Sequence, residues 1–262
     1  MAKKILITGG TGHLGQKIVQ LIKSKEYEVK VLTSKSDLTN EDNINYFTEN
    51  LSQNIGLKAA TKDIDTIIHC ASNPRDFEKV DIEGTQNLLN AIDKNSIKHF
   101  VYISIVGIHK SNYPYYQAKL KVENILKGSG IPYTIVRTTQ FHSFVFNLIQ
   151  SVIDETTSEK AILKIPERLK FQSIATEEVA ELLVKSALKS PQGLLHDFGG
   201  PEILSFEEMT ATYLKEAQLN WNIQTEPTDN IRHELFRTGI NLCRDNAFGK
   251  ETWERFLQRQ SI

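Results

Sequence analysis

The stretch Lys4-Ile5-Leu6-Ile7-Thr8-Gly9-Gly10-Thr11-Gly12-His13-Leu14-Gly15 decides how the rest of the chain is read. A short apolar run passes straight into T-G-x-x-G-x-x-G. Leu14, Ile18, Leu21 and Ile22 then fall at i, i+4, i+7 and i+8, on one face of a helix. Glycines between a strand and a helix permit a tight turn, let backbone N–H groups approach a pyrophosphate and allow close packing of helix on strand. The helix N-terminus adds partial positive charge. A second β-branched run, Glu28 to Thr33, completes a βαβ unit. In that context the loop predicts dinucleotide binding through Gly9, Thr11, Gly12, His13, Leu14 and Gly15.

Where an acidic residue after the second strand would hold the ribose hydroxyls of NAD, the chain has Thr33-Ser34-Lys35-Ser36. Asp37 comes a turn too late for that task. Hydroxyl and ammonium at Ser34 and Lys35 suit a 2′-phosphate, so NADP (NADPH) is the preferred cofactor and NAD a possible one, although lysine offers a point charge where arginine would offer a fork.

Further along, strands are predicted at Thr66 to Ala71, His99 to Ser104 and Tyr133 to Val136. Helical spacing marks Val80 to Ile92, and again Val122, Ile125 and Leu126 ahead of Gly128-Ser129-Gly130. This alternation predicts an α/β fold with a Rossmann-type doubly wound parallel sheet and a small C-terminal substrate lobe. Beyond Arg137 the rhythm changes. Phe141, Phe144, Val145 and Leu148 repeat at helical spacing, Asp154 to Lys160 is a turn or loop, and Phe171 to Ile174 and Leu194 to Phe198 are short strands. Ser205 and Glu208 have capping-box spacing, and Trp253, Phe256 and Leu257 form a final stripe. The expected division is a nucleotide-binding core of 1–140 and 171–200, with a smaller lobe of 141–170 and 201–262.

With 262 residues the chain can bury a sizeable core. Its 31 Lys+Arg against 32 Asp+Glu provide no net field to hold nucleic acid or an anionic membrane, so neither is an expected partner. The apolar run near Met1 is too short for a signal peptide. Cys70 and Cys243 make neither a metal clip nor a disulfide framework, which suits a reducing cytoplasm. The histidines lack H-x-x-x-H spacing, so no metal is expected.

Tyr115 and Lys119 are four apart, so on a helix the ammonium stands near the phenol, favours its ionised form and suits general acid–base work. Ser104, at the end of a predicted strand, is placed to hydrogen-bond a carbonyl oxygen. The chain resembles the short-chain dehydrogenase/reductase superfamily, within it the atypical NmrA-like branch that includes quinone and triphenylmethane reductases. The resemblance rests on the glycine loop, Val80-Asp81-Ile82-Glu83-Gly84-Thr85-Gln86-Asn87, Lys98 to Ser104, Tyr115-Tyr116-Gln117-Ala118-Lys119, Pro132 to Phe141, Gly199-Gly200-Pro201-Glu202 and Thr252 to Leu257. It implies that Asn50 and Leu51 contact adenine, that Cys70-Ala71-Ser72 lines ribose and pyrophosphate, and that Thr138, Gln140 and Phe141 lie near the nicotinamide. Many relatives have Asp at the position of Asn50 and many NADP-dependent ones Arg at that of Ser34. The expected function is an NAD(P)H-dependent oxidoreductase passing hydride to a small apolar or aromatic acceptor, as monomer or homodimer, with Ser104, Tyr115 and Lys119 as catalytic set. The alternative is a catalytically silent redox sensor for a protein partner.

Overall fold

The computed structural model describes residues 3–23, 27–36, 38–40, 43–48, 50–53, 55–156 and 162–260. In chain order the first elements are β1 (Lys3–Thr8), α1 (His13–Lys23), β2 (Tyr27–Thr33), β3 (Ile44–Thr48), α2 (Leu57–Thr61), β4 (Thr66–His69), α3 (Gly84–Ala91), β5 (His99–Ile105), α4 (Pro114–Gly128) and β6 (Tyr133–Thr138). There follow α5 (His142–Asp154), β7 (Ile162–Pro166), β8 (Lys170–Phe171), α6 (Thr176–Ala187), β9 (Gly193–Leu194), β10 (Leu204–Ser205), α7 (Phe206–Glu216), β11 (Asn222–Glu226), α8 (Ile231–Thr238) and α9 (Trp253–Gln258). A π-helical turn, Glu78–Glu83, leads into α3.

Two compact units divide the chain. The first comprises Met1–Ser104, Pro114–Arg137 and Glu177–His196; the second comprises Ile105–Tyr113, Thr138–Thr176 and Asp197–Ile262. The first is built on a seven-stranded sheet of order β3-β2-β1-β4-β5-β6-β9. β1 pairs in parallel with β2 and β4, as do β2 with β3, β4 with β5, and β6 with β9. Ile5, Leu6 and Ile7 of β1 and Thr66 to His69 of β4 are buried along their whole length, the signature of strands covered on both faces. Ile18, Val19 and Ile22 give α1 its buried face. Because β1 lies between β2 and β4, the strand order reverses there. In open α/β sheets ligands bind beyond the strand carboxyl ends at that point.

In the second unit β8 pairs antiparallel with β10 and β7 parallel with β11. Phe171 anchors its core, 4.5 Å from Phe236 and 5.9 Å from Phe206 between ring centroids. The expected capping box of Ser205 and Glu208 opens α7, and the Trp253 indole N–H donates to the Met209 carbonyl. Residues 105–113, 138–140, 171–176 and 197–200, which the sequence pattern placed with the sheet, fall in this unit. Backbone bonds explain part of the difference: Thr139 N–H donates to Phe198, His142 to Ile174 and Gly200 to Gln172. The strand expected at Leu194 to Phe198 pairs in the sheet only through Gly193–Leu194, while Phe198 bridges to Thr138. Among the described residues no helix is long and apolar enough to cross a membrane.

Candidate active site

Three glycines of the first loop do different work. Gly9 has φ +67° and a Cβ there would stand 2.8 Å from the Cα of Ala71, so the turn after β1 lies directly on the segment after β4. A Cβ on Gly15 would fall 2.1 Å from the Gly9 carbonyl oxygen, which fixes the first turn of α1 against the loop. Gly12 is exposed, and its Cβ would meet only the Gly9 oxygen, at 3.2 Å. That face is free for an anion to approach the backbone. His13 is exposed too, whereas the Leu14 side chain enters the core.

Thr11 Oγ1 and Thr33 Oγ1 are 2.7 Å apart, tying the loop to the end of β2. Ser34 and Lys35 follow at once, both exposed, and the Lys35 N–H donates to Thr33 Oγ1. Asp37 lies outside the described residues. After β3, exposed Asn50 accepts from the Ser52 amide and hydroxyl. Leu51 is buried, and its carbonyl accepts from Asn87 Nδ2 at 2.9 Å, so this turn is fastened to α3.

Behind the loop runs a chain of buried hydrogen bonds whose direction can be derived. Thr85 donates its hydroxyl hydrogen to the Asp81 carbonyl, so its oxygen accepts from His69 Nε2 at 3.0 Å. His69 Nδ1 therefore accepts from Thr8 Oγ1 at 2.6 Å. The Thr8 oxygen in turn accepts the backbone N–H groups of Cys70 and Ala71, each at 3.3 Å. Burial, with Lys119 adding to it, pushes His69 down to about 3, so it is a neutral link in this chain. Burial likewise pushes the Cys70 thiol up to about 12, which leaves it a packed thiol.

Pro114 opens α4, where its missing N–H costs nothing, and sets Tyr115 in the first turn with Lys119 one turn on. The Tyr115 hydroxyl lies 2.8 Å from Ser72 Oγ. Ser72 donates its own hydrogen to Asp81 Oδ1 at 2.6 Å, so Tyr115 is the donor to Ser72. Asp81 Oδ2 accepts the Asn73 N–H at 3.0 Å, and Lys119 Nζ stands 3.6 Å from Asp81 Oδ1. The ammonium also lies over the Tyr102 ring, 4.4 Å from its centroid. Lys119 is 2% exposed. Burial lowers its pKa, and the Asp81 charge works against that fall.

Ser104 corrects one expectation. Its hydroxyl donates to Glu123 Oε1 at 2.7 Å, in a buried cluster where Arg137 also grips the carboxylate through Nε and Nη2 at 2.8 and 2.7 Å. Burial would raise the Glu123 pKa, but the Arg137 and Ser104 hydrogen bonds and the Arg137 and Lys127 charges outweigh it and hold it low. The serine that meets Tyr115 is Ser72. Thr138, Gln140 and Phe141 belong to the second unit, where Thr138 bridges to Phe198, Phe141 bridges to Ile174 and the Gln140 side chain accepts from Asn241 Nδ2 at 3.1 Å. Sequence reasoning missed Asp81, His69 and Glu123 as members of the polar clusters. The available signal for Asp81 was an acid set between Val80 and Ile82 at the start of a core helix.

The model of the NmrA-like family matches residues 1–242. A photosystem II assembly factor of Trieres chinensis is 27% identical over 190 residues, 70% of this chain and 59% of that protein. The chloroplastic divinyl chlorophyllide a 8-vinyl-reductase of Arabidopsis thaliana is 28% identical over 178 residues, 57% of this chain and 42% of the reductase. The chain thus spans only about half of these relatives' length. In fold it is similar to an NADPH-dependent quinone oxidoreductase from Escherichia coli solved with NADPH, with TM-score 0.80, 14% identity and coverage of 97% of this chain and 98% of the other.

Proposed function

The chain belongs to the NmrA-like family, and from that premise we propose that it is an oxidoreductase using NADPH, with NADH as the weaker donor, to reduce a small apolar or aromatic acceptor such as a carbonyl compound or quinone. One observation carries the reading. Gly9 packs on Ala71, Ala71 adjoins Ser72, and Ser72 is bonded to Tyr115, so loop and acid are two residues apart at the carboxyl edge of β1 and β4.

Three features suit the dinucleotide: an exposed face without a side chain at Gly12 for the pyrophosphate, and Ser34 and Lys35 for a 2′-phosphate. Asn50 and Leu51 are assigned to adenine by family resemblance alone. Cys70, Ala71 and Ser72 adjoin that loop. Thr138, Gln140 and Phe141 are assigned to the nicotinamide by family resemblance alone. Bound there, the cofactor supplies the hydride. Tyr115 turns its hydrogen from Ser72 to the acceptor oxygen, Ser72 keeps the phenol in place, and Lys119 stands one helical turn further along α4.

The test is NADPH oxidation against a panel of quinones, aldehydes and dyes. For a carbonyl acceptor Tyr115→Phe should lower kcat by about 10²- to 10⁴-fold, the worth of a positioned general acid. A second reading draws on the assembly-factor relative: a cofactor-dependent binding protein without turnover. It prevails if NADPH binds at about micromolar concentration and no acceptor on the panel oxidises it faster than buffer.

A further inference from the structure

We infer that Asp81 is the positioning residue of this site: its carboxylate is the counter-ion of the buried Lys119 and, through Ser72, holds the Tyr115 hydrogen, which keeps Tyr115 a proton donor and sets the site for reduction. The last step rests on the proposed reductase activity; the pairing does not.

The first support is the hydrogen inventory. Tyr115 donates to Ser72, Ser72 donates to Asp81 Oδ1, and Asn73 N–H occupies Oδ2. Each hydroxyl has one hydrogen, so the direction is fixed by the carboxylate, which can only accept. The second support is the charge inventory around Lys119. It faces His69 at the end of β4 and Cys70 just after it, Tyr102 from β5, Asp81 from the π-helical turn and Glu123 on its own helix, where Tyr115 stands one turn earlier. His69 and Cys70 are neutral for the reasons given, and burial raises the Tyr102 phenol well above its usual value. Glu123 gives its carboxylate to Arg137 and Lys127. Among these groups Asp81 alone offers Lys119 an anion not bound to another cation, at 3.6 Å with both side chains buried. The third support is the backbone. Asp81 lies in the π-helical turn Glu78–Glu83, an irregularity that in helices gathers at functional positions.

A lone ammonium beside a phenol favours its ionised form; one whose field is cancelled by a carboxylate does not. The expected effect of Lys119 on Tyr115, read from their spacing alone, is therefore cancelled by a residue that spacing does not show.

The experiment labels the full chain with 13C-lysine and follows the Lys119 Cε resonance with pH, assigned by its loss in Lys119→Met. In Asp81→Asn the shape and one acceptor remain but the charge is gone. The Lys119 midpoint should fall by about one pH unit or more, a tenfold change in proton affinity. A midpoint equal to that of the unmutated protein overturns the inference. If the protein turns over an acceptor, the alkaline limb of kcat/KM should move down in Asp81→Asn, and less in Ser72→Ala, which cuts the hydrogen-bonded link but leaves the charge pair; a limb that stays in place in Asp81→Asn counts against the inference. Failure of every acceptor defeats the proposed activity and leaves the resonance titration to decide the pairing. Should Asp81→Asn not fold, the pairing requires that Asp81→Asn with Lys119→Met fold and melt with Lys119→Met alone, because no unpaired charge is then buried. If that double variant is also unfolded, Asp81 serves something other than Lys119 and the inference fails.

Discussion

Two substitutions in one loop should separate folding from binding. At Gly15 a methyl group would sit 2.1 Å from the Gly9 carbonyl oxygen and 2.6 Å from the Gly10 Cα, and both neighbours are backbone. No rotamer change relieves this. Helix α1 must retreat from β1 by about 1 Å, loosening Ile18, Val19 and Ile22, so Gly15→Ala should cost at least the upper range of overpacking, about 3 kcal/mol. For a chain of this size that lowers Tm by about 6–12 °C. At Gly12 the same methyl group meets one oxygen at 3.2 Å and otherwise solvent. Gly12→Val should keep stability within about 1 kcal/mol, while its branched side chain covers the face where a pyrophosphate reaches the backbone. Loss of one or two charge-assisted N–H contacts, each about 1.5–3 kcal/mol, raises the Kd for NADPH by at least about tenfold. Thermal melting by circular dichroism and titration of NADPH fluorescence read the two effects separately. A Gly15→Ala melt equal to that of the unmutated protein refutes the packing argument; an unchanged Kd in Gly12→Val refutes the placement of the cofactor.

Lys35→Ala should weaken NADPH about tenfold and leave NADH unaffected by calorimetry, since only NADPH carries the 2′-phosphate; equal affinities in the unmutated protein exclude the assignment. Arg137→Met leaves Glu123 buried without its main partner and should cost about 3–5 kcal/mol in urea unfolding, most of it recovered when Glu123→Gln is added, and a double variant no better than the single one contradicts the pairing. His69 has a folded-state pKa of about 3 against an ordinary value of 6.5, so between those limits the unfolded chain binds the extra proton. Its contribution to stability is full above about pH 6.5 and is lost as pH falls towards 3. His69→Gln should therefore flatten the acid side of the Tm–pH curve, and parallel curves show that another group governs it.

The sheet was legible where burial imposes a period. β1, α1 and β2 announce themselves because Ile5 to Ile7 and the Leu14, Ile18, Ile22 face must be apolar to pack. β3 was not, because it is an edge strand in which Ile44 alone is fully buried while Asn45, Tyr46 and Thr48 meet solvent in part. β11 alternates half-buried with exposed residues and carries little apolar signal. α8 starts with an exposed Ile231 and buries only His233, Leu235 and Phe236. A short polar helix of this kind is made by its surroundings, not by its own periodicity.

The candidate site divides along the same line. Tyr115 and Lys119 are readable because both sit on one helix, where spacing alone puts them on one face. Ser104 looked right as a strand-terminal serine, yet successive strand residues point to opposite faces, and its face carries it to Glu123. Ser72 and Asp81 come from different segments and meet Tyr115 and Lys119 only because α4 and the π-helical turn converge after β4. No spacing rule joins them. What could be read is the demand: a lysine on the buried face of a helix requires an anion within reach, since an ammonium taken from water without one loses its proton. Posed that way, the acids in buried helical positions among the described residues reduce to two, and Arg137 takes one of them. Glu123 is claimed from β6, and Asp81 is left for Lys119.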